Sequence, residues 1–272
     1  MRNWRVLAGG ALLLALLTAA VFAPVIAPYD PLDQDLAAQL TAPDWRLAPG
    51  AHALGTDSLG RDVLSRLIYG SRVALTVAFV AGTLTAVAGT ALGLAAGFFG
   101  GWTDIMISRA VDIWSSFPPV LLSIILVALI GTGLWSVVAA ILLIDWTRFC
   151  RVVRAETLKQ RRMDYIDAAV LAGLSPNAIL WQEVVPNVLP LTLVLLTLEM
   201  GIAVVVEAIL SFVGLSISSD APSWGSMIAE GREVVHQAPW VLIGAMFVLL
   251  ATVLAFNVLG DGLKAELDPV LR

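Results

Sequence analysis

Long stretches without a charged residue recur along this chain, and they limit its fold more than any other feature. The first, Val6–Ala27, contains 22 residues. At about 1.5 Å per residue it reaches roughly 33 Å, enough to cross a hydrocarbon core of about 30 Å. Charged residues make up 14% of the chain, against about 25% in a typical soluble domain. The pattern predicts an all-α protein that crosses a membrane several times, with further apolar regions at 73–101, 113–144, 188–215 and 239–260.

The number of crossings follows from where the apolar regions break. Ile113–Ile144 is too long for one ordinary crossing, and Gly131-Thr132-Gly133 provides a turn near its middle. We therefore expect two helices there, about 105–130 and 134–151, and six transmembrane helices in all. The first stretch could instead be a signal peptide, but it is longer than the usual signal core, which favours a retained helix.

Basic residues indicate which side of the membrane each loop occupies. The stretch after the fourth span faces the cytoplasm, because it holds six of the chain's 16 lysines and arginines: Arg148, Arg151, Arg154, Lys159, Arg161 and Arg162. Six crossings then place both termini in the cytoplasm, and Arg2 and Arg5 agree. The 28–72 loop lies outside in this arrangement, in partial conflict with its basic residues Arg46, Arg61, Arg66 and Arg72.

These assignments divide the chain into two parts. Residues 1–72 form an N-terminal transmembrane helix with an extracytoplasmic loop, and residues 73–272 form a five-helix core with a cytoplasmic loop at 153–187. The second span carries small residues every fourth position, which let helices approach closely in lipid. They favour a packed bundle or a surface that faces a partner: Ala78, Gly82, Ala86, Gly89, Gly93 and Gly97.

The cytoplasmic loop reads as a compact helical elbow. Asp164, Asp167 and the alanines after them suit a short helix, and Gly173 allows a sharp turn. Ser175-Pro176 can start a second helix, with the serine as cap and the proline at the first helical position. The small pair Ala168-Ala169 permits close approach by another body. By itself, the pattern also fits an ordinary helical loop.

The elbow resembles the EAA loop of ABC importer permeases. Asp167-Ala168-Ala169, Gly173, Val185 and Pro186 fall in the register of that motif. Asp167 replaces the usual glutamate and keeps its charge, whereas Glu183 stands where isoleucine is usual. The resemblance implies that 164–177 is a coupling helix that docks on an ATPase subunit. The residues assigned to that coupling are Asp164, Asp167, Ala168, Ala169, Gly173 and Pro186.

Further motifs are similar to one branch of this family, the C-type permeases of dipeptide, oligopeptide and nickel importers. They are His52–Arg66 with Tyr69–Arg72, Ser211–Leu215 with Pro222–Gly225, and Asn257–Pro269. The likeness runs from about residue 30 to the end of the chain. It implies a bacterial inner-membrane location, a homologous second permease, two ATPase subunits or domains, and an extracytoplasmic substrate-binding protein. The cargo would be a peptide, with nickel or a metal chelate as the alternative.

The outer loop contains two oppositely charged pairs at helical spacing, Asp57 with Arg61 and Asp62 with Arg66. They predict either an ion-paired helix at the outer membrane surface or a contact surface for the binding protein. Exposed ion pairs contribute only about 0–1 kcal/mol of stability.

Two carboxylates lie within the fifth span, where a charge costs roughly 2.5 kcal/mol or more at the helix centre. Glu199 and Glu207 are therefore candidates for the translocation pathway, together with Ser211, which shares a helix face with Glu207. The alternative role for Glu207 is polar contact between helices. Asp112 and Arg109 predict an ion pair near the start of the third span. Pro118-Pro119 should kink or break that span, as a packing feature or as part of the pathway.

The sequence predicts no catalysis by this chain. It contains no G-x-x-x-x-G-K-[ST] phosphate loop, so ATP and Mg²⁺ are expected on the partner ATPase subunits and no cofactor on this chain. His52, His236 and Cys150 lie too far apart in sequence to predict a metal site, and no basic stripe suggests nucleic-acid binding. A rival hypothesis is a proton-coupled secondary transporter that uses Glu199 and Glu207. The lack of an evident internal repeat argues against it.

Overall fold

A computed structural model describes residues 4–45, 50–216 and 221–267. Arg2, Arg46 and Asp268-Pro269 of the C-terminal motif lie outside them. The described chain is helical, with one isolated bridge between Thr56 and Asp62. Eleven α-helices follow in order: α1 Trp4–Val21, α2 Ala23–Ile26, α3 Val63–Phe99, α4 Gly101–Trp114, α5 Pro119–Ile130, α6 Leu134–Gln160, α7 Asp164–Leu171, α8 Pro176–Ile179, α9 Val185–Phe212, α10 Trp224–Glu233 and α11 Pro239–Leu267.

The helices confirm an all-α membrane fold. Length and composition qualify α1, α3, the continuous Pro176–Phe212 segment and α11 as spans, and α4 with α5 as a fifth if the bent pair crosses once. The helix α6 is long enough but carries Asp145, Arg148 and Arg151, and it runs to Gln160. The predicted end of the fourth span at 151 was therefore wrong, and Arg148 lies inside the helix rather than in the basic loop. The contacts of α6 support the sixth span, because residues 149 to 157 follow residues 89 to 97 of α3 in the same order. Two parallel helices require the α4–α5 segment between them to return across the bilayer.

Several predicted boundaries were wrong. The first helix ends at Val21, and Ala23–Ile26 forms a separate short turn. The second span begins ten residues early, at Val63, since Asp62 caps it by accepting a hydrogen bond from the Ser65 amide. The division at residue 72 therefore falls inside α3. Gly9 lies against Ala255 and Leu259 of α11, and this packing supports a retained first helix.

The paired prolines break the third predicted span. Helix α4 ends at Trp114, α5 starts at Pro119, and the two helices meet at 87°. Pro118 has an extended backbone, the conformation favoured for a residue that precedes another proline. The expected break is confirmed, but the expected single helix over 105–130 is wrong. The predicted turn at Gly131–Gly133 separates α5 from α6.

Small residues on α3 let two neighbouring helices approach it closely. A Cβ atom added at Gly93 would lie 2.8 Å from the Cys150 carbonyl oxygen and the Val153 Cβ of α6, and Gly97 faces Thr157 in the same way. On the next face, Gly82 packs against Met200 of α9. The stripe therefore packs within the chain, which favours the bundle hypothesis over the partner-facing one.

We expect Gly93→Ala to lower the free energy of unfolding by about 1–3 kcal/mol, because the added methyl group overpacks the contact between α3 and α6. Denaturant unfolding of the purified chain in detergent measures this change. Gly10→Ala is the matched control, since no atom lies within 4 Å of its added Cβ. Equal stability of the two variants would contradict the proposed close contact.

Candidate functional site

The elbow, predicted to face the cytoplasm, consists of α7, a turn at Gly173, and α8. Asp164 and Asp167 lie in the first turn of α7, where a carboxylate interacts favourably with the helix dipole. Gly173 has φ +82°, a conformation that suits glycine. Its amide donates to the Val170 carbonyl, and the Leu174 amide donates to the Ala169 carbonyl. This double contact is a Schellman C-cap, which turns the chain sharply after α7.

The second arm of the elbow begins as predicted. Pro176 is the first residue of α8, and the Ser175 side chain accepts a hydrogen bond from the Ala178 amide. A π-helical turn, Leu180–Val184, then joins α8 to α9. Pro186 lies in the first turn of α9, and because it has no N–H it cannot donate a hydrogen bond back to the π-helical turn before it. The arm thus continues into the membrane without a loop.

One face of α7 packs on the nearby ends of α3 and α6. Ile166 and Ala169 are buried in a cluster with Leu94, Phe98 and Val153. Ala169 is only 9% exposed because it packs against this chain's own helices, and the assignment of Ala168 and Ala169 to coupling stays a prediction. Ala168 and Asp167 are exposed. Within the alanine pair, the Ala169 methyl group is buried and the Ala168 methyl group is exposed.

The tip of the elbow presents apolar side chains that the motif did not single out. Leu171 is 88% exposed, Trp181 is 67% exposed, and Val170 is largely exposed. Large apolar side chains that cluster at a surface often mark an interaction site. The sequence did contain a signal for Val170 and Leu171. They lie three and four positions beyond Asp167, so on a helix they share its exposed face.

A hydrogen-bonded chain attaches the elbow to two membrane helices. The Tyr165 hydroxyl donates to Gln160 Oε1 of α6 at 2.8 Å and accepts from Asn187 Nδ2 of α9 at 3.4 Å. Asn187 Nδ2 also donates to the Glu183 carbonyl at 2.6 Å. Partial burial raises the pKa of the Tyr165 phenol, and the Glu183 carboxylate raises it further. The phenol therefore stays protonated and able to donate at neutral pH.

Glu207 lies in a closed polar group at the outer end of α9. It is buried, and its Oε1 accepts hydrogen bonds from Ser211 at 2.6 Å and Ser216 at 3.2 Å. The Ser216 carbonyl in turn accepts from the Gly133 amide in the turn between α5 and α6. These contacts give Glu207 and Ser211 a structural role, and their predicted place in the pathway stays a prediction.

Glu199 belongs to a second buried group, halfway along α9. Its Oε2 accepts a hydrogen bond from Arg148 Nη1 of α6 at 3.3 Å, and Asp145 Oδ1 lies 3.9 Å from Arg148 Nη2. Asp145 is also buried. Glu199 and Glu207 therefore lie in separate networks.

Four charged residues form a cluster at the end of the bundle opposite the elbow, three of them buried and Glu230 partly exposed. Asp57 pairs with Arg61 at 2.7 Å and also with Arg66, and both arginines pair with Glu230 of α10. The predicted Asp57–Arg61 pair is confirmed, but both residues precede α3 rather than share a helix face. Glu230 was missed because 164 residues separate it from Arg66.

The predicted pairing of Asp62 with Arg66 was wrong. Asp62 accepts hydrogen bonds from the Ser65 amide and hydroxyl, and its other oxygen lies 3.0 Å from His52 Nδ1. All four residues of the predicted contact surface, Asp57, Arg61, Asp62 and Arg66, are buried. Their contact with a binding protein stays a prediction, and their observed contacts fix the outer loop on α10 and α3.

The predicted residues thus lie in three regions: at the elbow, midway along α9, and at the opposite end of the bundle. Among the described residues, no group of three or more His, Cys, Asp or Glu side chains could hold a metal ion. The predicted Arg109–Asp112 pair forms at 3.9 Å on the surface of α4.

Two family models match separate parts of the chain. Residues 89–272 match the model of the family described as binding-protein-dependent transport system inner membrane component. Residues 1–49 match the N-terminal TM domain of oligopeptide transport permease C.

Curated relatives align along nearly the full length. The dipeptide transport system permease protein DppC of Alkalihalophilus pseudofirmus is 34% identical over 100% of this chain and 88% of its own. The di/tripeptide transport system permease protein DppC of Pseudomonas aeruginosa is 38% identical over 97% and 88%. The glutathione transport system permease protein GsiD of Pectobacterium atrosepticum is 36% identical over 100% and 89%.

The fold is also similar to a solved structure. An inward-facing structure of the MetNI methionine ABC transporter aligns with a TM-score of 0.61 and 21% identity. The alignment covers 75% of this chain and 96% of that one. At this identity the likeness concerns the fold alone.

We expect Asp57→Asn to lower the free energy of unfolding by about 3 kcal/mol, because it leaves two buried guanidinium groups with one carboxylate between them. Thermal unfolding in detergent measures the loss. Asp112→Asn is the matched control, because its pair with Arg109 is exposed and exposed pairs contribute little. If both variants unfold at the same temperature, the outer cluster does not stabilise the fold.

Proposed function

Because the chain belongs to the family of binding-protein-dependent transport system inner membrane components, we propose that it forms half of the translocation pathway of an ATP-driven peptide importer. The observation that carries this proposal is the elbow, which is attached to the bundle on one face and exposes an apolar tip on the other. The names of the relatives favour a peptide over nickel or a metal chelate as cargo.

The proposed complex contains this chain, a homologous second permease and two ATPase subunits or domains on the cytoplasmic side. The ATPase subunits hold ATP and Mg²⁺, and a substrate-binding protein delivers the peptide from outside. Both chain termini lie on the cytoplasmic side. In support, Gly262 near the end of α11 lies beside Val6 near the start of α1, so the two termini share one side of the bundle. Gly260 of α11 lies beside Thr197 of α9, the helix that starts at the elbow.

The contacts of α7 suggest how the energy of ATP reaches the membrane. Leu171 and Val170 would enter an apolar groove of the ATPase, whose basic rim would face Asp164 and Asp167. When the ATPase subunits close, α7 moves with them. Ile166 and Ala169 join α7 to the ends of α3 and α6, and Tyr165 joins it to α9. The displacement would therefore rotate the helices as a unit and alternate the side from which the pathway is open.

The first test separates this proposal from proton-coupled transport. We expect peptide uptake by the complete importer in vesicles to stop when ATP is withheld while a proton gradient is maintained. Radiolabelled peptide measures uptake, and a complex with an inactivated ATPase is the control. Uptake that persists without ATP would contradict the proposal.

A second test concerns the tip of the elbow. We expect Leu171→Glu to weaken association with the ATPase subunits roughly 10- to 30-fold, as loss of an interface hot spot does, without unfolding the spans. Copurification and peptide-stimulated ATP hydrolysis measure the effect. Leu36→Glu is the matched control, an exposed leucine in the outer loop. Normal ATPase association in Leu171→Glu would exclude the tip as the docking site.

A further inference from the structure

A charged contact lies midway along two of the helices assigned as membrane spans. Glu199 is midway along α9, about 20 Å from either helix end at 1.5 Å per residue. Arg148 Nη1 lies 3.3 Å from Glu199 Oε2. The guanidinium group is therefore at the same depth.

The exposure of this guanidinium group limits what can surround it. The Arg148 side chain is 46% exposed, whereas that of Glu199 is 1% exposed. An arginine that faces hydrocarbon at the bilayer centre costs about 2.5 kcal/mol or more. Because of this cost, the exposed side of Arg148 should face water or polar groups rather than lipid.

A cleft adjoins this exposed side. It has a volume of about 290 Å³ and lies between α6, α9 and α11. Arg148 and Asn257 are its polar lining residues. Apolar side chains form most of the remaining wall: Leu195, Leu198, Ile202, Val205 and Val253. This composition, mostly apolar with a few polar groups, is typical of small-molecule sites.

The neighbours of Arg148 make it suitable for transient binding. A guanidinium group has five N–H donors, and Glu199 accepts one of them, so others can reach an acceptor in the cleft. Asp145 and Glu199 offset its charge and hold it in place. A ligand carboxylate would bind less tightly than to an unpaired arginine. Transit sites need this property, since the solute must leave as readily as it arrives.

We propose that the cleft between α6, α9 and α11 is part of the wall of a water-filled translocation pathway, and that Arg148 binds the carboxylate of the solute in transit. The identity of that solute as a peptide rests on the proposed function. The location of the pathway does not depend on it. Apolar side chains of the solute contact the aliphatic wall, while its carboxylate accepts hydrogen bonds from Arg148.

Thiol labelling tests the location of the pathway whatever the cargo is. Cysteines replace Ile202 and Val205 in the complete importer, in a Cys150→Ala background that removes the one native thiol. The control is Leu250→Cys on α11, which is 56% exposed and outside the cleft lining. A charged, membrane-impermeant thiosulfonate reagent is added, because it reacts with thiolates and a thiol ionises only where water reaches it.

We expect both cleft cysteines to react at least about tenfold faster than the Leu250→Cys control. Similar rates at all three positions would overturn the proposal. They would show that lipid or a partner subunit covers the cleft.

Paired substrates test the role of Arg148. Uptake of a dipeptide is compared with uptake of its C-terminal amide, with the same binding protein throughout, so that the preference of the binding protein cancels. The measured quantity is the uptake of the dipeptide divided by the uptake of its C-terminal amide. We expect Arg148→Gln to reduce this ratio about tenfold relative to the unmodified importer, because the variant loses one charge-assisted hydrogen bond to the carboxylate. Arg151→Gln, one turn further along α6, should leave the ratio unchanged.

A double variant covers the case in which Arg148→Gln fails to fold. Arg148→Gln with Glu199→Gln replaces both members of the 3.3 Å contact with neutral amides and should show the same reduced ratio. ATP-driven uptake with an unchanged ratio in either folded variant would overturn the role of Arg148. That result would leave the proposed importer function intact.

Discussion

The close approach of α3 and α6 determines how the other helices are arranged. Lipid supplies no hydrophobic force between helices, so their association depends on packing and on polar contacts. Gly89, Gly93 and Gly97 allow α3 to lie directly against the backbone of α6. The other side of α3 accepts α9 at Gly82 in a similar way. With α3 in contact with both, the charged residues of α6 come within reach of α9.

Charge pairs then connect the helices at three depths. At the outer face, Arg61 and Arg66 join the outer loop and α3 to Glu230 of α10. At mid-membrane, Arg148 of α6 meets Glu199 of α9. Near the cytoplasmic face, Arg154 of α6 forms a two-pronged pair with Asp104 of α4. Glu199 and Arg66 are buried, and breaking their pairs would leave an uncompensated buried charge, so these contacts favour motion of the helices as a unit.

The elbow complements this rigid bundle. Its Schellman cap and its serine cap satisfy both ends of the turn around Gly173, so the tip does not need a partner to hold its shape. The buried face of α7 continues the packing of α3 and α6, and its opposite face is exposed. Because both ends of its turn are capped, the elbow can transmit a displacement at Leu171 to the membrane helices without bending at that turn.

The sequence alone determined the all-α membrane fold, the break at Pro118-Pro119, the turn at Gly131–Gly133 and the caps of the elbow. Each follows from local rules, namely hydrophobic length, proline and glycine geometry, and side-chain capping within a few residues. The motifs also identified the family, because residue types in register do not depend on the fold being known.

Only the tertiary structure decided which groups meet. The contacts of Glu230 with Arg66, of Arg148 with Glu199, and of Asp62 with His52 join residues on different elements, and no spacing in the sequence predicts them. Burial likewise separated Ala169 from Ala168, although both belong to one motif. The physical reason is that a charge or an apolar face is satisfied by whichever element packs against it, and the packing of the helices determines which element that is.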